Sequence, residues 1–482
     1  MNGTRLREPP SSGLSGQRLK ALGIRKNLIL ILFVGLAIRL ALSWMPGTED
    51  MFYFRMWGAL ALRSGMLHVY TWKDEDTLNA IFLKLRGIEL HPRTANPTDL
   101  GPATGVPDYP PGNILIMKLA VGACKMLQGG TLRAGNLLNA CLNLPPILFA
   151  LAATLALWYL AQGAQAPRPL IAVAAFWLNP ALILTSPVLG YQDPIFAAFG
   201  LLALMCFYRG RHTLSVLFLA ASCLTKPQGV FIVPVLAAAF WAEGGWRALC
   251  RTSARFLLFL LVPLVPYIVT GRLLAPVAAF LRGAVFPALS AQTTNAWWLI
   301  GPGLQAIVSR STAPLLGTLP MVPQSEFRAL AGFDPLWLSL PALIAFTCAN
   351  LYFLIQQLRA GNRTAIFWAA ALEVYGYTML ALFVHENHLY AFLVYAAPLL
   401  ASGKRPVVRV YWALSAIYGM NLFLFDGLGE GYTAPAQWLR TLPGFDLSIL
   451  LGVVNVGVFS LIIRSRKWWF DRTQGLPPSP RI

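Results

Sequence analysis

Long apolar runs recur along the whole chain and constrain its fold more than any other feature. The first covers residues 27–44, and runs of 16 to 25 residues follow as far as 447–463. Segments of this length are typical of helices that cross a bilayer. Because the runs are continuous rather than alternating, they exclude a transmembrane barrel. The sequence therefore predicts an all-α, polytopic integral membrane protein with about 12–14 transmembrane helices.

The composition excludes several other classes of protein. Only 12% of the 482 residues are charged and 57% are hydrophobic, whereas a soluble protein carries about 25% charged residues. The net charge of +19 is explained by the preference of Lys and Arg for cytoplasmic loops, and no nucleic-acid-binding motif accompanies it. The six cysteines lie in or beside apolar runs without CxxC spacing, which indicates packing rather than a disulfide framework or a metal cage.

The charge pattern also predicts the orientation of the chain. Basic residues cluster in both tails, so we expect both termini in the cytoplasm and a first apolar run that is retained as a span. Nearly all acidic residues fall on the predicted external side, which suggests a role for carboxylates there. The predicted divisions are a basic tail (1–26), a catalytic transmembrane module (27–270) with an external loop (46–111), a second external loop (271–335), C-terminal transmembrane helices (336–463) and a basic tail (464–482).

The predicted spans do not satisfy this orientation without a correction. Two cytoplasmic termini require an even number of spans, whereas the apolar runs give an odd number. Either 112–127 is not a full span, or 131–162 folds back at Pro145-Pro146. The sequence leaves both alternatives open.

The first external loop opens with Glu49-Asp50, followed by an aromatic, amphipathic segment that contains Arg55 and Trp57. Residues 51–65 are expected to form a helix in the membrane interface, and a helix that begins at Asp50 would place Asp50 and Trp57 on one face. Asp50 could cap this helix. It could also act as a general base that removes the proton from a sugar hydroxyl as that oxygen attacks an anomeric carbon. The two roles are compatible.

Three further polar groups stand at the boundaries of apolar runs. Asp108-Tyr109 precedes paired prolines that lead into an apolar run, which is also an ordinary helix-start signal. Gln192-Asp193 separates two apolar runs, either as a simple loop or as groups that face the bundle interior. Lys226 lies in an apolar region without a charged neighbour in sequence. It either extends to the interface or holds a lipid-linked phosphate as a point charge.

Two motifs suggest metals but match metal sites poorly. His385-Glu386-Asn387-His388 differs in spacing from HExxH and has no cysteine partners. Binding of phosphate or hydroxyl groups by His385 and His388, oriented through Glu386, fits better. Asp74-Glu75-Asp76 matches the DxD triplet of nucleotide-sugar transferases, yet the chain has no Gly-rich cradle for a nucleotide. A sugar donor would then be carried by a lipid.

In their order along the chain, these motifs resemble those of the GT-C superfamily of polyprenyl-phosphate-sugar-dependent glycosyltransferases. The resemblance is greatest to the dolichyl-phosphate-glucose α-glucosyltransferases of the N-glycan pathway, over about residues 27 to 402. The residues that carry it are Asp50, Arg55 and Trp57, then Asp108 to Pro111, Tyr191-Gln192-Asp193, Lys226, Thr294-Asn295-Ala296-Trp297 and Val384-His385-Glu386. Asn387 replaces a family lysine, and Ser290 and Ala291 replace an acidic pair.

The resemblance implies a GT-C-like fold and an inverting transfer of a hexose, glucose or mannose, from a polyprenyl-phosphate-linked donor to a glycan, lipid or protein acceptor on the external face. By the same resemblance Asp50 is the base, and the donor phosphate is bound by Lys226, His385, Arg55 and His388. Sugar and acceptor are bound by Glu49, Trp57, Asp108, Tyr109, Gln192, Asp193, Asn295, Trp297 and Glu386. Neither a metal nor a cofactor is implied, and the lipid bilayer is the remaining partner.

Short loops, the absence of an external glycosylation sequon and the lack of a retrieval signal favour a bacterial inner membrane over the endoplasmic reticulum. The alternative function is a lipid-linked-sugar flippase or a secondary transporter, a class that often shows inverted repeats and broken helices near the midplane. No internal repeat is evident in the sequence, and its acidic groups lie toward one face rather than at the midplane.

Overall fold

The computed structural model describes residues 13–70, 107–164, 166–284, 287–442 and 444–465, with the backbone alone in 13–23 and 282–284. Within these ranges the chain is helical, and its extended pairs are isolated bridges. The predicted all-α fold is confirmed. The helices are α1 (Gly13–Leu42), α2 (Glu49–Ser64), α3 (Pro111–Leu127), α4 (Asn136–Gly163), α5 (Pro169–Trp177), α6 (Pro180–Val188), α7 (Asp193–Tyr208), α8 (His212–Thr225), α9 (Val233–Leu261), α10 (Val265–Val269), α11 (Leu274–Ala284), α12 (Ala296–Ser309), α13 (Gln324–Ala331), α14 (Leu336–Arg359), α15 (Ala365–Leu380), α16 (Tyr390–Leu400), α17 (Arg405–Asp426), α18 (Ala434–Thr441) and α19 (Leu447–Arg464).

Several of these helices are long and apolar enough to cross a membrane. Among the described residues five helical stretches meet that condition, or up to six when α5 and α6, bent by 41°, are counted as one broken span. The five are α4, Pro227–Val269, α14, α17 and α19, and the shorter apolar helices α7, α8, α15 and α16 accompany them. The prediction of a polytopic membrane protein is confirmed, whereas the number of 12–14 spans stays a prediction.

Acidic and basic groups are segregated to opposite ends of the bundle. Helix α7 runs from Asp193 to Tyr208, so its two ends are about 24 Å apart. The acidic end carries side chains whose charges act on one another, namely Asp50, Asp108, Asp193, Lys226 and Glu386. The basic end carries residues that contact neighbouring helices, namely Arg168, Arg209, Arg255 and Arg363, and it also holds Glu243, which pairs with Arg363.

Helix α3 does not pass from one end of the bundle to the other. Its first turn packs against the end of α8, since a Cβ on Gly112 would lie 2.5 Å from the carbonyl oxygen of Leu224. Its last turn lies beside the start of α4, where the thiols of Cys124 and Cys141 are hydrogen-bonded. Both turns are therefore at the acidic end, and the run 112–127 is not a full span.

Helix α4 settles the other alternative for this region. Near its start, Nδ2 of Asn143 donates to the carbonyl of Ser43 at 3.0 Å, just beyond α1. The helix then continues without interruption through Pro145 and Pro146 as far as Gly163. The fold-back at these prolines is wrong, because helix–helix packing and nearby polar groups can accommodate prolines within a membrane helix.

The break between α5 and α6 frees backbone carbonyls that other helices satisfy. The side chain of Asn179 caps the first turn of α6. Nη1 of Arg39, on α1, donates to the carbonyl of Trp177 at 2.5 Å, and the hydroxyl of Tyr411, on α17, donates to that of Ala175 at 3.2 Å. The Arg39 charge thus faces the C-terminal end of α5, where the partial charge of a helix is negative.

The loop between α10 and α14 is held in place by the last membrane helix. Asp446, the N-cap of α19, accepts from the backbone N–H of Leu319 at 2.7 Å and from Nε of Arg440 at 2.7 Å. Farther along α19, Nδ2 of Asn455 donates to the carbonyl of Thr294 at 2.8 Å. The loop is therefore anchored at two points by residues that come more than 100 positions later in the chain.

Candidate active site

Helix α2 is positioned by the backbone of the turn before it. The N–H of Thr48 donates to the carbonyl of Leu189 at 2.9 Å, and the carbonyl of Gly47 accepts from the N–H of Glu430 at 2.7 Å. Thr48 occupies the N-cap position, so Asp50 lies within the first turn and does not cap the helix. These bonds fix Asp50 relative to the loops that follow α6 and α17.

The other charges of the acidic end all affect the pKa of Asp50. Burial raises the pKa of Asp50 to about 7. The negative charges of Glu386, Asp108 and Asp193 add to this rise, whereas the positive charge of Lys226 opposes it. A carboxyl that titrates near neutral pH is suited to accept a proton in a general-base step.

Lys226 and Asp193 form a buried ion pair. Nζ of Lys226 lies 2.9 Å from each carboxylate oxygen of Asp193, and their side chains are 5% and 0% exposed. Lys226 is held at the break after α8, and its Nζ lies 5.7 Å from the ring centroid of Tyr109. The sequence interpretation gave Lys226 and Asp193 separate roles, on phosphate and on sugar, but the structure joins them in one pair.

A second acidic group surrounds Tyr191. The hydroxyl of Tyr191 lies 2.5 Å from Oε1 of Glu386 and 3.2 Å from Oδ2 of Asp426. Asp426 is absent from the residues proposed from the sequence, and Tyr191 is present there only as part of a motif. The available signal for Asp426 is its position: like Asp193, it is a carboxylate at the end of an apolar helix.

The two histidines of the His385–His388 segment occupy different environments. The His385 side chain is 40% exposed, and its backbone bridges to Ala291 and Gln292. The His388 side chain is buried, and its Nε2 lies 2.8 Å from Nε2 of Gln228. Burial lowers the pKa of His388 well below its usual range. His388 is therefore a neutral hydrogen-bonding group at physiological pH.

Aromatic rings line the side of α2 that follows Asp50. The ring centroid of Trp57 lies 5.7 Å from that of Tyr109, and Phe54 meets Tyr109 edge-on at 5.6 Å. The backbone carbonyl of Tyr109 accepts from the hydroxyl of Tyr70 at 2.8 Å. The predicted helix thus forms, and it brings Trp57 and Tyr109 together near Asp50 and Lys226.

Two other predicted site residues, Arg55 and Gln192, contact nearby backbone carbonyls, and Glu49 is exposed. Nη2 of Arg55 donates to the carbonyl of Pro46 at 3.1 Å, and Glu49 is exposed at the start of α2. The side chain of Gln192 is directed to backbone carbonyls, those of Gly190 and Leu142, at 3.3 and 3.5 Å. Contacts of this kind hold the loops in shape.

Asn295 and Trp297 belong to the packing of the second loop. The side chain of Asn295 caps α12 by accepting from the N–H of Trp298 at 3.0 Å, and its Nδ2 donates to the carbonyl of Thr378. The indole of Trp297 donates to the carbonyl of Leu380 at 2.8 Å. These two side chains are used to seat α12 against α15 rather than to extend the charged cluster.

No three His, Cys, Asp or Glu side chains in the described ranges are grouped so as to hold a metal ion. The predicted triplet Asp74-Glu75-Asp76 lies outside the described residues.

Comparisons with known proteins give a distant structural similarity. No family model and no curated protein matches the sequence. Among solved structures, the chain is similar to the oligosaccharyltransferase of Archaeoglobus fulgidus in its apo form, with a TM-score of 0.38 and 14% sequence identity. The match covers 94% of this chain and 60% of the other, so the chain spans about 60% of the length of that protein.

Proposed function

We propose that this protein is a membrane glycosyltransferase that transfers a hexose, glucose or mannose, from a polyprenyl-phosphate-linked donor to a hydroxyl of a glycan, lipid or protein acceptor. The observation that carries the proposal is the environment of Asp50. Its carboxyl has a pKa raised to about 7 and lies within the electrostatic reach of the buried cation Lys226. A candidate base and a buried cation thus lie near each other at one end of an apolar helical bundle, where a lipid-borne substrate would lie.

In the proposed reaction, Asp50 accepts the proton of the acceptor hydroxyl. The acceptor oxygen forms a bond to the anomeric carbon of the donor from the face opposite the phosphate, and the bond between that carbon and the phosphate oxygen breaks. The polyprenyl phosphate leaves with one more negative charge, and the configuration at the anomeric carbon is inverted. Asp50 returns its proton to solvent after the product departs.

Lys226 is proposed to stabilise the leaving phosphate. A desolvated cation interacts more strongly with developing negative charge than an exposed one does. Both carboxylate oxygens of Asp193 accept from the ammonium group of Lys226. These two contacts support a fixed position for the ammonium group. The partly exposed His385 and the guanidinium of Arg55 are proposed as further phosphate contacts, while Asp108 and Glu386 orient sugar or acceptor hydroxyl groups.

The segregation of charge supports the predicted orientation. Lys and Arg are biased toward cytoplasmic loops, so the basic end is proposed to face the cytoplasm and the acidic end the external side. Helix α1 ends and α19 begins toward the acidic end, which is consistent with two cytoplasmic termini. A bacterial inner membrane is the proposed location.

The test is a transfer assay with purified protein in lipid nanodiscs. The protein is incubated with a panel of synthetic polyprenyl-phosphate hexoses and candidate acceptors, and release of polyprenyl phosphate is measured. We expect the wild-type protein to release polyprenyl phosphate from at least one of the hexose donors. The rate of release should be about 10²- to 10⁴-fold lower in Asp50→Asn. Movement of the intact donor across a proteoliposome membrane without any covalent product would instead identify a flippase or transporter.

A further inference from the structure

Two buried side chains beside Lys226 have unused hydrogen-bonding capacity. Gln228 and His388 are 7% and 4% exposed, and their Nε2 atoms lie 2.8 Å apart. Among the described residues, Oε1 of Gln228 and Nδ1 of His388 have no hydrogen-bond partner. Buried polar atoms without partners are rare because leaving one unpaired costs about 1–3 kcal/mol.

The unused groups always include at least one donor and one acceptor. When the Gln228 amide donates to Nε2 of His388, the amide oxygen is the spare acceptor and Nδ1–H of the ring is the spare donor. When the amide is turned and Nε2–H of His388 donates to it, the amide N–H is the spare donor and Nδ1 is the spare acceptor. The result therefore does not depend on the amide orientation or on the tautomer.

The residue before His388 in sequence carries a third unused group. Oδ1 of Asn387, in a residue that is 4% exposed, has no partner among the described residues. The carbonyl of Asn387 accepts from the hydroxyl of Tyr418 at 3.3 Å, which holds this segment in place. The rings of Phe231 and Tyr377 lie 6.5 and 6.0 Å from that of His388. The environment thus combines neutral polar atoms with apolar ring surface.

We propose that Gln228, Asn387 and His388 form a subsite for hydroxyl groups of the hexose on the lipid-linked donor. A hydroxyl both donates and accepts, so it satisfies a spare donor and a spare acceptor together. An ionised phosphate only accepts, and it would face the unpaired acceptor of the Gln228–His388 pair. His388 is accordingly assigned to the sugar rather than to the phosphate, and this inference rests on the proposed function.

The neutrality of His388 is consistent with this assignment. Burial and the positive charge of Lys226 lower its pKa well below its usual range. The ring therefore brings no positive charge to a phosphate at neutral pH. Lys226, by contrast, is two positions from Gln228 in sequence, so the sugar subsite adjoins the cation that is proposed to hold the phosphate.

The experiment compares two ligands, polyprenyl-phosphate hexose and polyprenyl phosphate, by their Kd for the purified protein in nanodiscs. The ratio of the two Kd values reports the contribution of the sugar. We expect Gln228→Leu to reduce the sugar preference about tenfold, which corresponds to one lost hydrogen-bonded hydroxyl. Its Kd for polyprenyl phosphate should be unchanged. Asn362→Leu, which removes a buried amide at the basic end, serves as the matched control and should alter neither value.

A second measurement starts from the wild-type protein, so its first result does not depend on the folding of a variant. Wild-type protein is titrated with donors that lack one hydroxyl at a time, and one or two of these should bind about tenfold more weakly, while Gln228→Leu no longer discriminates them. Equal weakening of both ligands in the variant would place the pair on the phosphate and overturn the proposal. An unchanged ratio would overturn it too, leaving the pair bonded to ordered water. If the wild type transfers no hexose and binds no donor, the proposed function itself has failed.

Discussion

The hydroxyl of Tyr191 donates to Oε1 of Glu386 across 2.5 Å, while Oδ2 of Asp426 lies 3.2 Å from the same hydroxyl. A phenol carries one hydrogen and can donate to only one of two carboxylates at a time. The second contact is favourable when Asp426 carries a proton and donates it to the Tyr191 oxygen. In addition to burial, Glu386 then provides the negative charge that raises the pKa of Asp50.

Amide substitutions at these carboxyls should separate the two charge states. Asp426→Asn replaces a protonated acid by a neutral amide of similar shape, so we expect the pH midpoint of activity to stay within about 0.3 units of that of the wild type. Glu386→Gln removes the charge that contributes most to the raised pKa of Asp50, so the midpoint should fall by about 1 unit. Similar falls in both variants would mean that both carboxyls are ionised.

The pH dependence of transfer should report the ionisation of Asp50. A general base works only when deprotonated, so activity should rise about tenfold per pH unit below about 7 and level off above it, in keeping with a pKa of about 7. Initial rates at saturating donor between pH 5 and pH 9 measure this profile. Asp50→Glu should retain a rising limb at reduced rate. A rate that is flat across this range would rule out Asp50 as the base.

The stability of the protein should depend on pH through the same residue. Because the folded pKa of Asp50 is raised from 3.8 to about 7, its favourable contribution is complete below pH 4 and is lost as the pH rises through 7. Asp50→Asn has no such loss. Its melting temperature should therefore equal that of the wild type at low pH and exceed it above pH 7. Equal melting temperatures of the two proteins at pH 8 would show that ionisation of Asp50 does not destabilise the folded wild type.

Removing only one partner of the buried ion pair between Lys226 and Asp193 should lower the free energy of unfolding much more than removing both. Lys226→Met leaves a carboxylate unpaired in the bundle, and we expect a loss of about 3–5 kcal/mol in unfolding free energy. The double variant Lys226→Met/Asp193→Leu should recover most of this loss, although it should remain inactive. The control is the exposed pair of Arg328 and Asp334, 2.6 Å apart, where Arg328→Met should cost about 0–1 kcal/mol. Additive losses in the double variant would contradict the pairing.

The contact between α2 and α3 should determine the position of Asp50. A Cβ on Gly58 would lie 2.6 Å from Cγ2 of Val121, whereas one on Gly122 would lie 3.6 Å from Cδ1 of Leu62. Gly58→Val should therefore push the two helices apart and reduce kcat about 10²-fold, since small displacements of a reacting group are costly. Gly122→Ala should have less than a twofold effect. Comparable activity in both variants would show that this contact does not position Asp50.

The helices could be predicted from the sequence because their existence depends on local apolar length. The apolar run at 447–463, for example, corresponds to α19 (Leu447–Arg464). Helix α3 could not be assigned in the same way. Its 17 residues are long enough for a short span, and only its packing on α2, α4 and the end of α8 shows that it stays at one end.

The residues of the acidic end could be found from the sequence, but their pairings could not. Asp50, Asp193 and Lys226 each stand out as a charge at the boundary of an apolar run. Their partners are determined by tertiary contacts: Lys226 and Asp193 are 33 positions apart, and Tyr191 and Glu386 are 195 apart. A residue pattern with a period of a few positions carries no information about such pairs.

The anchoring of the second loop by α19 has a consequence for biosynthesis. The segment that bridges to His385 is tied down through Thr294 by Asn455, and Leu319 is tied down by Asp446. A nascent chain that does not yet contain these two residues lacks both contacts that hold the loop beside His385. We therefore expect a chain that stops before Asp446 to be inactive, even though it contains every residue of the cluster around Asp50.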